Sequence, residues 1–254
     1  MARIPKRVAE RLGKETRRFQ RVLKKALDRD INESDTVIIV TDMLSRVFGF
    51  DKFTEVTSEL AIRGTYCDLA VRVDDKVNYL VEVKAIGLDL KEAYLRQAVN
   101  YGAQHGVQWV VLTNCIQWEI YRVRFERPIG HEVLASINFL DLNSRKLDEL
   151  EFLFLLCKEG LSKAVIEEYH EHVKSVNRFI IGAILQSETA LALVRRELRR
   201  VSPGIKVDLE EVEAILVLDV LKRDIVEGKP ADEARGRVKR AVGRRLKRKK
   251  KSPA

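Results

Sequence analysis

The sequence predicts an α/β protein in which a mixed β-sheet flanked by helices is followed by an all-α carboxy-terminal region and a basic tail. Three observations point there. Between residues 53 and 123, short runs alternate apolar and polar residues, the period of strands, around one helical stretch. From residue 145 to 228 the patterns are helical with few strand signals. Charge is also segregated. Residues 1–30 hold 11 Lys/Arg against 4 acids and residues 235–254 hold 11 against none, which leaves −9 for residues 31–234 of a total of +9.

The elements follow in order. Residues 6–29 are highly charged and read as a helix. A second helix is expected from Ser34 to Phe48, with Val37, Ile38, Val40, Met43, Leu44 and Val47 as its apolar side and Gly49 as its stop. Phe53–Glu59, Thr65–Val73 and Val77–Lys84 read as strands, the last two joined by a short turn at Asp74-Asp75-Lys76. Asp89 with Glu92 has the pattern of a capping box, starting a helix that runs to about Gln104. Val107–Thr113 and Ile116–Val123 complete the strands, and Pro128 with Gly130 marks a boundary. Asp208 with Glu211 forms a second capping box after the breaker Ser202-Pro203-Gly204. This gives a basic amino-terminal helix (1–30), a sheet domain (31–128), a helical domain (129–234) and a disordered basic tail (235–254).

Composition narrows the class of function. Hydrophobic residues make up 46% of the 254, enough for a packed core. No apolar run approaches a membrane span, and the amino terminus MARIPKRVAERLGK lacks the apolar core of a secretory signal. Cys67, Cys115 and Cys157 are odd in number and widely spaced, forming neither a zinc pattern nor a disulfide framework. A reducing, cytoplasmic setting and no membrane partner are the expectation. The basic ends suggest a polyanion, and the tail residues Arg244, Arg245, Lys247, Arg248, Lys249 and Lys250 are the candidates for contacting nucleic acid.

The stretch YLVEVKAIGL (79–88) carries the chemistry. In a strand, Glu82 and Lys84 share one face while Val81 and Val83 share the other. Asp68 lies on the preceding strand across a short turn, so the three polar side chains can converge. Two carboxylates are hard oxygen ligands suited to Mg²⁺ or Mn²⁺. A divalent ion can generate a hydroxide nucleophile, and a nearby ammonium can orient it and offset developing charge. On the following helix, Leu90, Ala93, Tyr94, Gln97 and Tyr101 form one stripe, in which Gln97 is polar on an otherwise inward face. His170 and His172, two residues apart on a helix, point away from each other and read as solvated.

These residues carry a resemblance. Asp68, then Glu82-Val83-Lys84, then Gln97-Ala98-Val99-Asn100-Tyr101 is similar to the PD-(D/E)XK nuclease superfamily with its Q-x-x-x-Y helix. CDLAVRV, YLVEVKA, RQAVNYG and VVLTNCIQWEIYRV resemble, more narrowly, the amino-terminal nuclease domain of type I restriction enzyme R subunits, over roughly residues 31–125. The resemblance implies a restriction-endonuclease-like fold and a Mg²⁺-dependent endonuclease acting on DNA, in defence or repair. It implies Asp68 and Glu82 as metal ligands, Lys84 as the catalytic lysine, Gln97 as catalytic support and Tyr101 as a nucleic-acid contact. An acid on the first core helix often assists in this superfamily. Glu33 is the first candidate for that metal-site acid and Asp35 the second. The sequence departs at Cys67, where the superfamily name has proline, and at Cys115, where the Thr-Asn loop usually continues with glycine. No G-x-x-x-x-G-K-[ST] motif is present, so the resemblance does not extend to an ATP-driven motor. Two alternatives stay open: a catalytically inactive binding module on the same fold, and RNA in place of DNA. The helical region could serve a homodimer that brings two sites to two strands.

Overall fold

A computed structural model describes residues 3–62 and 65–251, with the side chains of 59–66 and 244–251 outside that description. The chain separates into two compact units, residues 1–170 and 171–254.

The first unit opens with α1 (Lys6–Asp28) and α2 (Glu33–Arg46). Helix α1 is amphipathic: Val8, Leu12, Phe19, Leu23 and Ala26 are buried on one side. Asn32 caps α2, its side-chain oxygen accepting from the Asp35 N–H at 2.9 Å. The strands β1 (Val56–Ile62), β2 (Thr65–Val73), β3 (Lys76–Val83), β4 (Trp109–Thr113), β5 (Gln117–Arg124) and β6 (Gly130–Asn138) form one sheet in sequential order. Every neighbouring pair is antiparallel except β3 and β4, which are parallel and joined through α3 (Arg96–His105). A parallel pair needs such a crossover, and burial on both faces explains the apolar run in β3 and β4. The β2–β3 hairpin turns on Asp74 and Asp75, at φ 51° and 60°. Two successive positive φ values suit a tight hairpin, and aspartate tolerates them better than most residues.

Two apolar cores flank the sheet. On one face Leu69, Val71, Tyr79, Val81, Val83, Trp109 and Val111 pack with α1, α2 and the helices after the sheet. On the other, Ala70, Leu80, Val110 and Leu112 pack with Leu95, Ala98, Val99 and Tyr101 of the α3 region. After the sheet come α4 (Leu147–Phe154), α5 (Lys158–Leu161) and α6 (Val165–Ser175). His170, expected to be solvated, is buried, and its Nε2 lies 3.0 Å from Glu132 of β6.

The second unit contains α7 (Arg178–Leu185), α8 (Glu188–Val201), α9 (Leu209–Ile215), α10 (Arg223–Val226) and α11 (Lys229–Lys251). The Asp208 cap holds as read, accepting from the Glu211 N–H at 2.8 Å. Within this unit Arg237 of α11 donates to the Lys174 carbonyl at 2.8 Å and to the Ser175 hydroxyl at 3.0 Å.

Three expectations need correction. The sheet does not end near residue 123: β6 pairs with β5, so a boundary at 128/129 falls within the sheet. Asp89 caps nothing. A 3₁₀ turn spans Glu92–Leu95 after Lys91, and α3 starts only at Arg96. The tail, expected as disordered from 235, is helical as far as Lys251. The side chains of Arg244, Arg245, Lys247, Arg248, Lys249 and Lys250 lie outside the described residues. All three cysteines are buried with free thiols, and burial pushes Cys67 and Cys157 up to about 12 and Cys115 upward as well. Among the described residues no helix is long and apolar enough to cross a membrane.

Candidate active site

The site forms where the β2–β3 ladder runs out. The last paired residues there are Leu69 and Val81. One step further the antiparallel register sets Asp68 against Glu82. Asp68 does not continue the ladder with its backbone. Its carboxylate accepts from the Val83 N–H at 2.7 Å, filling a donor that would otherwise lack a partner. The β3 chain then leaves the hairpin and is held from its other side, where the Lys84 N–H donates to the Thr113 carbonyl at 2.8 Å.

The turn after β4 fixes that exit. Asn114 Oδ1 accepts from the N–H groups of Ile116 and Gln117 at 3.1 and 2.7 Å, while Asn114 Nδ2 donates to the Leu88 carbonyl at 2.9 Å. One buried amide thus closes the β4–β5 turn and ties down the loop that follows Lys84. Cys115, where the resemblance leads one to expect glycine, has a positive φ of 71°, in the left-handed region that favours glycine. A left-handed residue with a Cβ costs roughly 1–2 kcal/mol.

Glu82 is 6% exposed, and its Oε1 lies 2.9 Å from Lys84 Nζ. Burial raises the Glu82 pKa to about 7. The Lys84 hydrogen bond opposes that rise, and the charges of Asp68 and Glu33 add to it. Burial works against the charge on Lys84, but the hydrogen bond and charge of Glu82, with Asp68 and Glu33, outweigh it and hold the pKa above its ordinary value. Glu33, the first residue of α2, reaches Lys84 Nζ at 3.5 Å. The Tyr94 ring lies 5.7 Å from the same ammonium, a cation–π distance.

The structure therefore gathers Asp68, Glu82, Lys84 and Glu33. It does not gather the accessory pair. Gln97 is exposed in the first turn of α3 rather than inward, and among the described residues no hydrogen bond joins it to the site. Tyr101 is 3% exposed in the α3-side core, with its ring 4.5 Å from that of His105, so its ring is not available for stacking on a base. Asp35 is exposed, and its N–H serves the α2 cap. Sequence reasoning missed Tyr94 as a neighbour of the ammonium and Asn114 as the anchor of the loop that follows Lys84. Tyr94 stood in the α3 stripe but was read as packing, and a lone Asn in a turn gives no signal of its distant partner.

The donor set suits a hard divalent cation. It is all oxygen, and three carboxylates surround one ammonium, so the ionised site lacks positive charge. Burial is the main reason that the Glu82 pKa is raised, and the charges of Asp68 and Glu33 add to it. Among the described residues no three His, Cys, Asp or Glu side chains are grouped to hold a metal by themselves. A pair of carboxylates completed by water and substrate oxygens is the habit of Mg²⁺.

No curated protein and no solved structure matches the chain. Residues 41–137, which carry Asp68, Glu82, Lys84, Asn114 and most of the sheet but not Glu33, match the family of the type I restriction enzyme R protein N terminus (HSDR_N), the same family that the motifs resemble.

Proposed function

We propose that the protein is a metal-dependent endonuclease that hydrolyses phosphodiester bonds in DNA. The observation that carries this reading is the buried Glu82–Lys84 pair beside Asp68, at the point where β3 leaves its hairpin. A bound Mg²⁺ or Mn²⁺ would supply a hydroxide nucleophile at neutral pH and charge to stabilise a pentacovalent phosphorus. Asp68 and Glu82 are the residues to hold it. The Asp68 oxygen bonded to Val83 N–H fixes that carboxylate against the strand. Lys84 keeps its proton, and its ammonium is placed to orient a water or a non-bridging phosphate oxygen and to offset the charge that grows there. Glu33 and Tyr94 hold the lysine in that position.

The family match supports a restriction-enzyme-like nuclease domain, while the metal, the DNA substrate and the cleavage remain this proposal's own content. An inactive binding module on the same fold is the second reading, and the exposed position of Gln97 favours it. One experiment separates the two. The full-length protein is incubated with plasmid, linear duplex, single-stranded and branched DNA, with Mg²⁺, Mn²⁺ or EDTA, beside Glu82→Ala and Lys84→Ala. Cleavage by the wild type that needs the metal and both side chains is the expected result. Wild-type cleavage in EDTA, or unimpaired cleavage by either folded variant, overturns the assignment. Binding without cleavage of any substrate selects the second reading.

A further inference from the structure

Helix α1 presents a basic face that the catalytic reading does not use. Lys14, Arg17, Arg18, Arg21, Lys24 and Lys25 are all exposed, and the only acid between Lys14 and Lys25 is Glu15, which is 8% exposed. At 100° per residue, Lys14, Arg18, Arg21 and Lys25 fall within a 60° arc and Arg17 and Lys24 flank it, opposite the buried Leu12, Phe19, Leu23 and Ala26. The stripe is about 16 Å long at 1.5 Å per residue. Arg18 meets Glu15 at 3.4 Å and Arg17 meets the Ser144 hydroxyl at 3.2 Å. Among the described residues no carboxylate pairs with Lys14, Arg21, Lys24 or Lys25. Such a row is not needed for folding and repels itself unless something anionic lies along it.

The carboxy-terminal end of α1 leads along the chain to the site. Arg29 caps α1, Asp30 turns the chain at φ 46°, and Asn32 caps α2. The next residue is Glu33, 3.5 Å from Lys84 Nζ. Asp30 packs on the loop that follows Lys84 so closely that a Cβ on Gly87 would collide with its carboxylate. The short link 29–32 therefore joins the end of α1 to the helix whose first residue meets the catalytic ammonium.

We infer that the α1 stripe is a docking surface for the duplex DNA backbone. This rests on the endonuclease reading and deepens it, because it moves affinity from the tail to the folded unit that holds the chemistry. Phosphate contacts of this kind position a duplex without reading its sequence.

The test is duplex binding in EDTA, where no metal-dependent cut can occur, by fluorescence anisotropy from 50 to 200 mM salt. The full chain is compared with Lys14→Gln/Arg21→Gln/Lys24→Gln/Lys25→Gln and with the charge-keeping Lys14→Arg/Lys24→Arg/Lys25→Arg. Circular dichroism confirms the fold of each. If each of the four cations meets a phosphate, the log–log salt slope of the neutralised variant is shallower by about 3.6. Over that salt range its affinity then falls roughly a hundredfold less than that of the wild type. The charge-keeping variant should retain the wild-type slope. An unchanged slope in the neutralised variant overturns the inference. Co-sedimentation of the same chains with anionic phospholipid vesicles is the second arm, and a loss confined to the vesicles also overturns it, because the stripe would then be a lipid-surface contact. Failure of the endonuclease reading looks different: the slopes behave as expected but no metal supports cleavage.

Discussion

Replacing Glu82 by glutamine should stabilise the metal-free protein, and the gain should grow with pH. The fold holds the Glu82 proton to about pH 7 against an ordinary 4.5. Below 4.5 the carboxyl is neutral in folded and unfolded chains alike and contributes nothing to pH dependence. Between 4.5 and 7 the unfolded chain has released its proton and the folded chain has not, so stability falls as pH rises. Above 7 the loss is complete, and the difference between the two values makes it about 3 kcal/mol. Glutamine keeps the shape and can still accept from Lys84 but cannot ionise, so its stability lacks this fall. Urea unfolding followed by tryptophan fluorescence is the assay, because both tryptophans, Trp109 and Trp118, lie in the sheet. At pH 8 in EDTA, Glu82→Gln should exceed the wild type by up to about 3 kcal/mol. At pH 4.5 the two should nearly coincide. A variant no more stable than wild type at pH 8, or a gap equal at both pH values, would refute the idea that burial penalises the ionised Glu82 carboxylate.

Other outcomes follow from the same geometry. Lys84→Ala should lower the single-turnover cleavage rate by roughly two to four orders of magnitude while calorimetry still detects Mg²⁺ binding. Mg²⁺ or Mn²⁺ should support cleavage and Zn²⁺ alone should not, because the donors are all oxygen; turnover with Zn²⁺ but not Mg²⁺ would mean the site is misread. Asn114→Ala strands the Ile116 and Gln117 N–H groups and the Leu88 carbonyl, and should cost roughly 1–3 kcal/mol in the same urea assay. Neutralising Arg244, Arg245, Lys247, Arg248, Lys249 and Lys250 to glutamine, without cutting α11, should lower the duplex salt slope by up to about 5 if the tail also meets phosphates. No change would leave α1 as the main electrostatic surface.

The legibility of this chain varied from element to element. Strand β2 matches its expected span at both ends, because alternation and the Asp-Asp turn agree there. Strand β6 was lost because Pro128 and Gly130 were read as a domain boundary, although they only turn the chain. It was also lost because an edge strand shows a weak apolar pattern, with Val133 61% exposed. The β2–β3 hairpin brought Asp68, Glu82 and Lys84 together as the period-two pattern required. Gln97 went astray for a specific reason. The stripe was counted at 3.6 residues per turn from Leu90, but residues 92–95 form a 3₁₀ turn and α3 begins at Arg96. The change of pitch rotates Gln97 out of register. Glu33 could be placed only as a helix-start acid, since nothing local tells which distant ammonium a helix end will meet.

The three buried thiols have a consequence for experiment. With Cys67 and Cys157 ionising only near 12 and Cys115 also shifted upward, about one thiol in ten thousand or fewer is a thiolate at pH 8. The natural cysteines therefore need not be removed before labelling. A cysteine introduced at Phe53, a position 86% exposed just ahead of β1, would react with a maleimide dye while the native three stay silent. The Phe53→Cys chain, with its natural cysteines kept, then becomes a single-site reporter, in which the distance from the sheet to a bound duplex can be read without disturbing a residue of the core.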